Sequence, residues 1–244
     1  MSAPVLILGG SGGVGSALAR ILSDQGTPVH LFGRDRDRLE AAAAEAGNAR
    51  ITAVDATDAE GLNEAVTAAS QGDEGVAGLA YCVGSIVLKP LKRAAPEDYL
   101  DAFRLNALGG ALAVQAAETA LRKAKGSVVL FSTIAAGSGF TNHSVIAAAK
   151  GAVESLSRSL AADLAPDVRV NCIAPSLMRT PMGEPLTRNE KVAESIAQLH
   201  PIPRLGEAQD AAKLAAFLLG PDSDWLTGQV LAMDGGRSTL RVRG

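Results

Sequence analysis

Aromatic residues make up only 3% of this 244-residue chain, so its interior must be packed from Ala, Val, Leu and Ile. Cysteine is nearly absent as well. Cys82 and Cys172 stand alone in apolar runs, without the spacing of a disulfide framework or a metal site, and are expected to be buried, inert thiols; no metal is expected. Positive charge is not in excess: 23 Lys and Arg against 26 Asp and Glu leave a net charge of −3. That balance excludes a basic field able to draw in a nucleic acid backbone or an anionic membrane. No apolar run approaches the roughly 20 residues that span a bilayer. Met1-Ser2-Ala3-Pro4 has no basic n-region, and the short apolar run after it reads as a strand rather than a signal peptide. A cytoplasmic protein is expected.

What is present is a regular alternation. Short β-branched or apolar runs at 5–8, 29–32, 51–54, 76–83, 127–131, 168–173 and 229–233 read as strands. Between them, Ala-rich stretches of helical period at 13–25, 36–46, 59–69, 96–123, 145–164 and 207–219 read as helices. Alternation of this kind implies a parallel sheet covered by helices on both faces, an α/β fold. The length suits one domain over residues 1–244. Thr57-Asp58-Ala59-Glu60 has capping-box spacing, which places a helix start at Thr57. Residues 175–203 form the least regular stretch. Ligands of open α/β sheets sit beyond the carboxyl ends of the strands. A loop following the sixth strand overhangs that edge, so about 176–203 is read as a substrate lid.

Leu8-Gly9-Gly10-Ser11-Gly12-Gly13-Val14-Gly15 follows the first strand and opens the first helix. Glycines let the backbone turn tightly and approach a pyrophosphate, whose charge the helix N-terminus then stabilises. The second strand ends in Phe32-Gly33-Arg34-Asp35. Sites that prefer NAD place an acidic side chain there for the ribose 2′-hydroxyl, and sites that prefer NADP place an arginine near the 2′-phosphate. Gly33 makes room and Arg34 offers a bidentate fork, so NADP(H) is expected over NAD(H). The plain alternative is that Arg34 is a solvated residue ahead of a helix.

Further segments complete a pattern: Val54-Asp55-Ala56, Val83-Gly84, Leu105-Asn106, Ala148-Ala149-Lys150-Gly151, Asn171 to Ser176, Thr180-Pro181-Met182, Thr227-Gly228-Gln229 and Asp234-Gly235-Gly236. From Val5 to Gly236 the chain resembles the short-chain dehydrogenase/reductase family. Gly9, Gly13 and Gly15 fall on the glycines of its Thr-Gly-x-x-x-Gly-x-Gly turn, with Leu8 in place of the threonine. Ala80-Tyr81-Cys82-Val83-Gly84 stands where most relatives show Asn-Asn-Ala-Gly. The resemblance implies a Rossmann-type sheet in the order 3-2-1-4-5-6-7. It implies cofactor contacts at Gly9, Ser11, Gly13, Val14 and Gly15, at Arg34, Asp55 and Ala56, and at Gly84, Asn106, Lys150, Pro175, Thr180 and Met182. Asp55 would meet the adenine amino group, although it could instead cap the next helix.

The family's active site joins an Asn, a Ser, a Tyr and a Lys. By resemblance, Asn106 interrupts a helix and holds a proton-relay water, and Lys150 bonds the nicotinamide ribose. Thirteen residues before the tyrosine position stands Thr133, whose hydroxyl can hold a substrate oxygen; strand alternation turns Ser132 away. The tyrosine position itself is Ile146. Tyr81 and Tyr99, the only tyrosines, are remote from it in sequence. Loss of a positioned general acid slows a reaction by roughly 10²- to 10⁴-fold without forbidding it. His143, about one helical turn before Ile146, is one candidate donor, and a water relay through Lys150 is another; His143 could also be a plain cap or loop residue, and His200 is read as structural. The expectation is an NADP(H)-dependent oxidoreductase of a small, apolar carbonyl or alcohol. The rival is a non-catalytic NADP(H)-binding sensor or assembly partner. A homotetramer or homodimer is implied, consistent with Ala-rich faces at 107–120 and 147–164.

Overall fold

The strands form where short apolar runs can be buried on both faces. In the computed structural model, which describes residues 3–242, β1 (Val5–Leu8) is buried at every position, as a central parallel strand must be. The other strands are β2 (Val29–Gly33), β3 (Arg50–Ala53), β4 (Gly78–Tyr81), β5 (Ser127–Phe131), β6 (Arg169–Pro175), the short β7 (Met178–Arg179) and β8 (Gly206–Glu207), and β9 (Val230–Met233). Seven of them make one sheet in the order β3-β2-β1-β4-β5-β6-β9, every pair parallel. This is the Rossmann-type order expected from the sequence. β7 and β8 pair separately.

The helices are α1 (Gly13–Asp24), α2 (Arg36–Glu45), α3 (Ala59–Ala69), α4 (Pro96–Phe103), α5 (Gly109–Ala124), the single turn α6 (Ile134–Gly137), α7 (Ser144–Leu164), α8 (Glu184–Thr187), α9 (Glu190–Ala197) and α10 (Ala208–Leu219). Side-chain alternation along the strands sorts the core into two layers. Leu6, Leu8, Leu79 and Leu130 join residues of α3, α5 and α7 on one face. Val5, Ile7, Ala80 and Val129 join α1, α2 and α10 on the other. With few aromatic rings, the second layer closes through small residues such as Ala17, Ala19, Ala211, Ala212 and Ala215, all essentially inaccessible. At the far end of α7, Arg122 of α5 donates to the Asp163 and Leu164 carbonyls, satisfying acceptors that a helix end leaves open. Among the described residues no helix is long and apolar enough to cross a membrane.

Three readings of the sequence change. The helix expected over 96–123 is interrupted at Asn106, as the resemblance implied, and the interruption takes the form of a π turn at Arg104–Leu108. Asp58, not Thr57, caps α3 by accepting from the Gly61 amide at 3.1 Å, while the Thr57 amide and hydroxyl donate to Asp55. An aspartate carboxylate in extended backbone competes well for a helix N-terminus. Finally, the stretch 176–203 holds two short helices, α8 and α9, the latter capped by Asn189, between turns and loops.

Candidate active site

A cavity of about 940 Å³ opens beyond the carboxyl ends of the sheet strands, lined from the turn after β1 across to the end of β6. The β1–α1 turn is built for close backbone approach. Gly9 has φ +79°, open to glycine without strain, and a Cβ on Gly15 would collide with the Gly9 carbonyl. Gly12 caps α1 without a side chain, and the first turn of α1 holds no acidic residue. The helix therefore presents free amides and its positive end to the cavity. A Cβ on Gly13 would lie 3.2 Å from Thr180 and Pro181, so the segment after β7 seats directly on this turn.

At the end of β2 the side-chain space of Gly33 borders the Ser11 hydroxyl. Arg34 is mostly exposed and lies 3.9 Å from the Asp55 carboxylate, a loose pair that leaves the guanidinium available. Hydrogen bonds from the Thr57 amide and hydroxyl hold the Asp55 carboxyl below the usual range. Arg38, not singled out from the sequence, donates to the Ser11 carbonyl at 3.2 Å and lines the same end of the cavity. The run Arg34-Asp35-Arg36-Asp37-Arg38 carried that signal, because Asp35 caps α2 and turns Arg38 back over the glycine turn.

The other end is built around the π turn. There the Gly109 amide reaches the Arg104 carbonyl, and the Tyr81 hydroxyl donates to the Leu105 carbonyl at 2.7 Å. Asn106 is 2% exposed; its amide group donates to Ala102 and to the Ser85 hydroxyl, and its oxygen accepts from the Ser85 amide. A Cβ on Gly84 would lie 2.9 Å from the Asn106 oxygen and 3.1 Å from the Lys150 ammonium nitrogen. Gly84 thus leaves the gap in which these two groups face each other. Lys150, 7% exposed, donates from Nζ to the Phe131 carbonyl at 2.7 Å, and burial lowers its pKa to about 8. Both cysteine thiols are pushed up to about 12 by burial, as befits inert packing groups.

Thr133 caps α6 and its hydroxyl reaches the Pro175 carbonyl at 3.4 Å, a long contact a better acceptor could replace. The Ser132 hydroxyl is occupied by the Lys150 carbonyl and Glu154. Ile146 forms part of the cavity wall and is 4% exposed. No tyrosine takes its place. Tyr81 is buried under the π turn, and Tyr99 reaches only the Ser144 hydroxyl, at 3.2 Å. His143 lines the cavity as the residue before α7 and gives no side-chain cap. Its Nδ1 meets the Thr141 carbonyl at 2.7 Å, so Nδ1 carries the proton and Nε2 is the other nitrogen. His200 bridges the Ile196 carbonyl and the Ser176 hydroxyl, a structural arrangement.

Most residues singled out from the sequence line this one cavity: Gly9, Ser11, Gly13, Val14, Arg34, Asp55, Ala56, Gly84, Thr133, His143, Lys150, Pro175, Thr180 and Met182. Gly15 and Asn106 do not. Gly15 lies behind the turn it permits, and Asn106 lies behind Gly84 and Ser85. Arg237, beyond β9, was missed; it also lines the cavity.

A doubly wound sheet with a glycine-turn anion cradle at its switch point defines a dinucleotide-binding protein. The family model described as enoyl-(acyl carrier protein) reductase matches residues 9–238. A tropinone reductase homolog of Arabidopsis thaliana is 32% identical over 241 residues, covering 95% of this chain and 90% of that protein. A short-chain type dehydrogenase/reductase from Mycobacterium ulcerans superposes with a TM-score of 0.91 at 30% identity, over 99% of this chain and 92% of that one. The structure of ElxO with NADP bound superposes equally well, TM-score 0.91, at 25% identity over 98% and 100% of the two chains. The chain belongs to the short-chain dehydrogenase/reductase family.

Proposed function

We propose that this protein is an NADP(H)-dependent oxidoreductase acting on a carbonyl or alcohol. The observation that carries the proposal is the meeting of Lys150 and Asn106 across Gly84, beside the Thr133 hydroxyl, at the inner end of a cavity whose outer end is a glycine turn flanked by two arginines. The glycine cradle fits a dinucleotide: its close approaches leave no space for side chains and its amides face the cavity. Gly33 with Arg34 and Arg38 suits a 2′-phosphate, which a carboxylate at the strand end would repel; ElxO, a structural relative, binds NADP. When bound, the nicotinamide exchanges a hydride with the substrate carbon.

The chain's own residues do the rest. Lys150 holds the ribose hydroxyls, and its burial strengthens that charge-assisted bond. Thr133 Oγ1 donates to the substrate oxygen. The oxygen's proton comes by water from the Lys150–Asn106 side, because Ile146 has none to give. Residues 176–203 act as the lid, bringing Leu177, Met178, Thr180 and Met182 over the cavity.

The test is NADPH oxidation against a broad panel of ketones and aldehydes, run on the wild type and on Ile146→Tyr. Turnover by the wild type, raised or broadened in the variant, supports the reading. No turnover on any carbonyl by the wild type, with activity gained only in Ile146→Tyr, would sink it in favour of a non-catalytic binding protein.

A further inference from the structure

Arg237 stands out at the substrate end of the cavity. Its guanidinium carbon sits 4.7 Å from the centre of the Phe140 ring, and the ring of Phe140 meets His143 edge-on at 5.4 Å. Nη1 reaches the Ser176 hydroxyl at a long 3.4 Å, and that hydroxyl is already held by His200 at 2.8 Å. Ser176 directly follows Pro175, whose carbonyl Thr133 contacts. Arg237 is therefore linked through Ser176 to the segment that Thr133 contacts, and it follows β9, at the opposite edge of the sheet from β2 and its Arg34.

Arg237 feels the Asp234 carboxylate only through space. Among the described residues no ion pair reaches it; the nearby Asp234 accepts instead from the Gly236 and Ser238 amides of its own turn. Burial lowers the guanidinium pKa, with Asp234 acting in the opposite sense. A guanidinium has five donors and remains charged. The guanidinium is part-buried and stacked on Phe140, and with a single long hydrogen bond, to Ser176, among the described residues it keeps donors for an anion. Ile86, Leu88, Ile146, Leu186 and Ile196 line the same cavity.

Building on the oxidoreductase reading above, we propose that Arg237 is the specificity-determining residue of the substrate site and that the substrate carries a carboxylate on an apolar body. Arg237 forks onto the carboxylate, stacked and steered by Phe140. The carbonyl to be reduced then lies at Thr133.

The test uses saturated acids that offer no carbonyl to reduce, so binding is read whether or not turnover occurs. Octanoate and 4-phenylbutyrate, each against its own amide, are titrated by calorimetry into NADPH-loaded protein. One of the acids should bind about tenfold or more tightly than its amide, as expected for a charge-assisted pair. That preference should vanish in Arg237→Met and survive in part in Arg237→Lys, with NADPH affinity close to wild type in both. Equal affinity for acid and amide in the wild type, including no binding of either, overturns the proposal without reliance on any variant. Persistence of the preference in Arg237→Met overturns it too. If acid preference holds while no carbonyl is ever reduced, the oxidoreductase reading fails and the anion site stands.

Discussion

The two ends of the cavity are built by different means. At the nucleotide end, the work is done by backbone and by what is missing: glycines at 9, 13 and 15, no carboxylate at Gly33, no side-chain cap on α1. At the reaction end it is done by side chains held from behind. Asn106 is fixed by Ser85 and Ala102, and Lys150 by the Phe131 carbonyl. The cradle tolerates little change, because a Cβ on Gly9 or Gly15 meets main chain and one on Gly13 meets Thr180 and Pro181. A site of side chains can take an apolar residue such as Ile146 in its wall and keep its frame. The difference teaches where variation is affordable in this chain.

The sharpest way to break that comparison is to remove a supporting side chain at the reaction end. Lys150→Ala should lower kcat/KM by about 10²-fold or more, and Asn106→Ala should do likewise, whereas His143→Phe should be close to silent. Initial rates for the three variants on one turned-over substrate decide it; a large loss in His143→Phe alone would make the histidine the donor. For the wild type, kcat/KM should fall as pH rises through about 8, where Lys150 loses its charge.

Lys150 also sharpens the comparison through stability. Burial shifts it from 10.5 to about 8, and at about 1.36 kcal/mol per pH unit the buried charge costs ~3 kcal/mol. The unfolded chain binds more protons between these values, so the penalty is complete below pH 8 and fades as pH rises towards 10.5. Lys150→Met should therefore raise the melting temperature of the cofactor-free protein at pH 7 while abolishing function, with a smaller gain at pH 9. Thermal scans at the two pH values test this.

At the nucleotide end, Arg34→Ala should reduce the preference for NADPH over NADH by about tenfold, and adding Arg38→Ala should remove the remainder. Calorimetry with both cofactors reads this, and an unchanged ratio would return Arg34 to the solvent. The smallest effect is expected from Tyr81→Phe. It leaves the Leu105 carbonyl without its buried donor, at about 1–2 kcal/mol by denaturant titration.

The same contrast explains what could be read from the sequence. The alternation of strands and helices and the glycine turn were legible because each rests on local pattern, short apolar runs and close glycines; the strand order and the role of Lys150 came from the family resemblance. The interruption at Asn106 was implied by the resemblance, but its form, a π turn whose Leu105 carbonyl accepts from Tyr81 more than twenty positions earlier in the chain, was not. Arg38 was hidden because its direction depends on the Asp35 cap. Arg237 was hidden because only the sheet's closure by β9 carries it to Phe140. The order within 176–203 escaped because α8 and α9 are short and their prolines suggested a loop.

The placement of Arg237 after the last strand has a consequence for biogenesis. Chains emerge from the ribosome N-terminus first, so the glycine turn, Arg34, Arg38 and Asp55 have all been made by Ala56. The substrate end waits for a residue some 180 positions later. During translation the glycine turn and its arginines therefore exist long before Thr180 and Pro181 arrive to seat on them and before Arg237 is made.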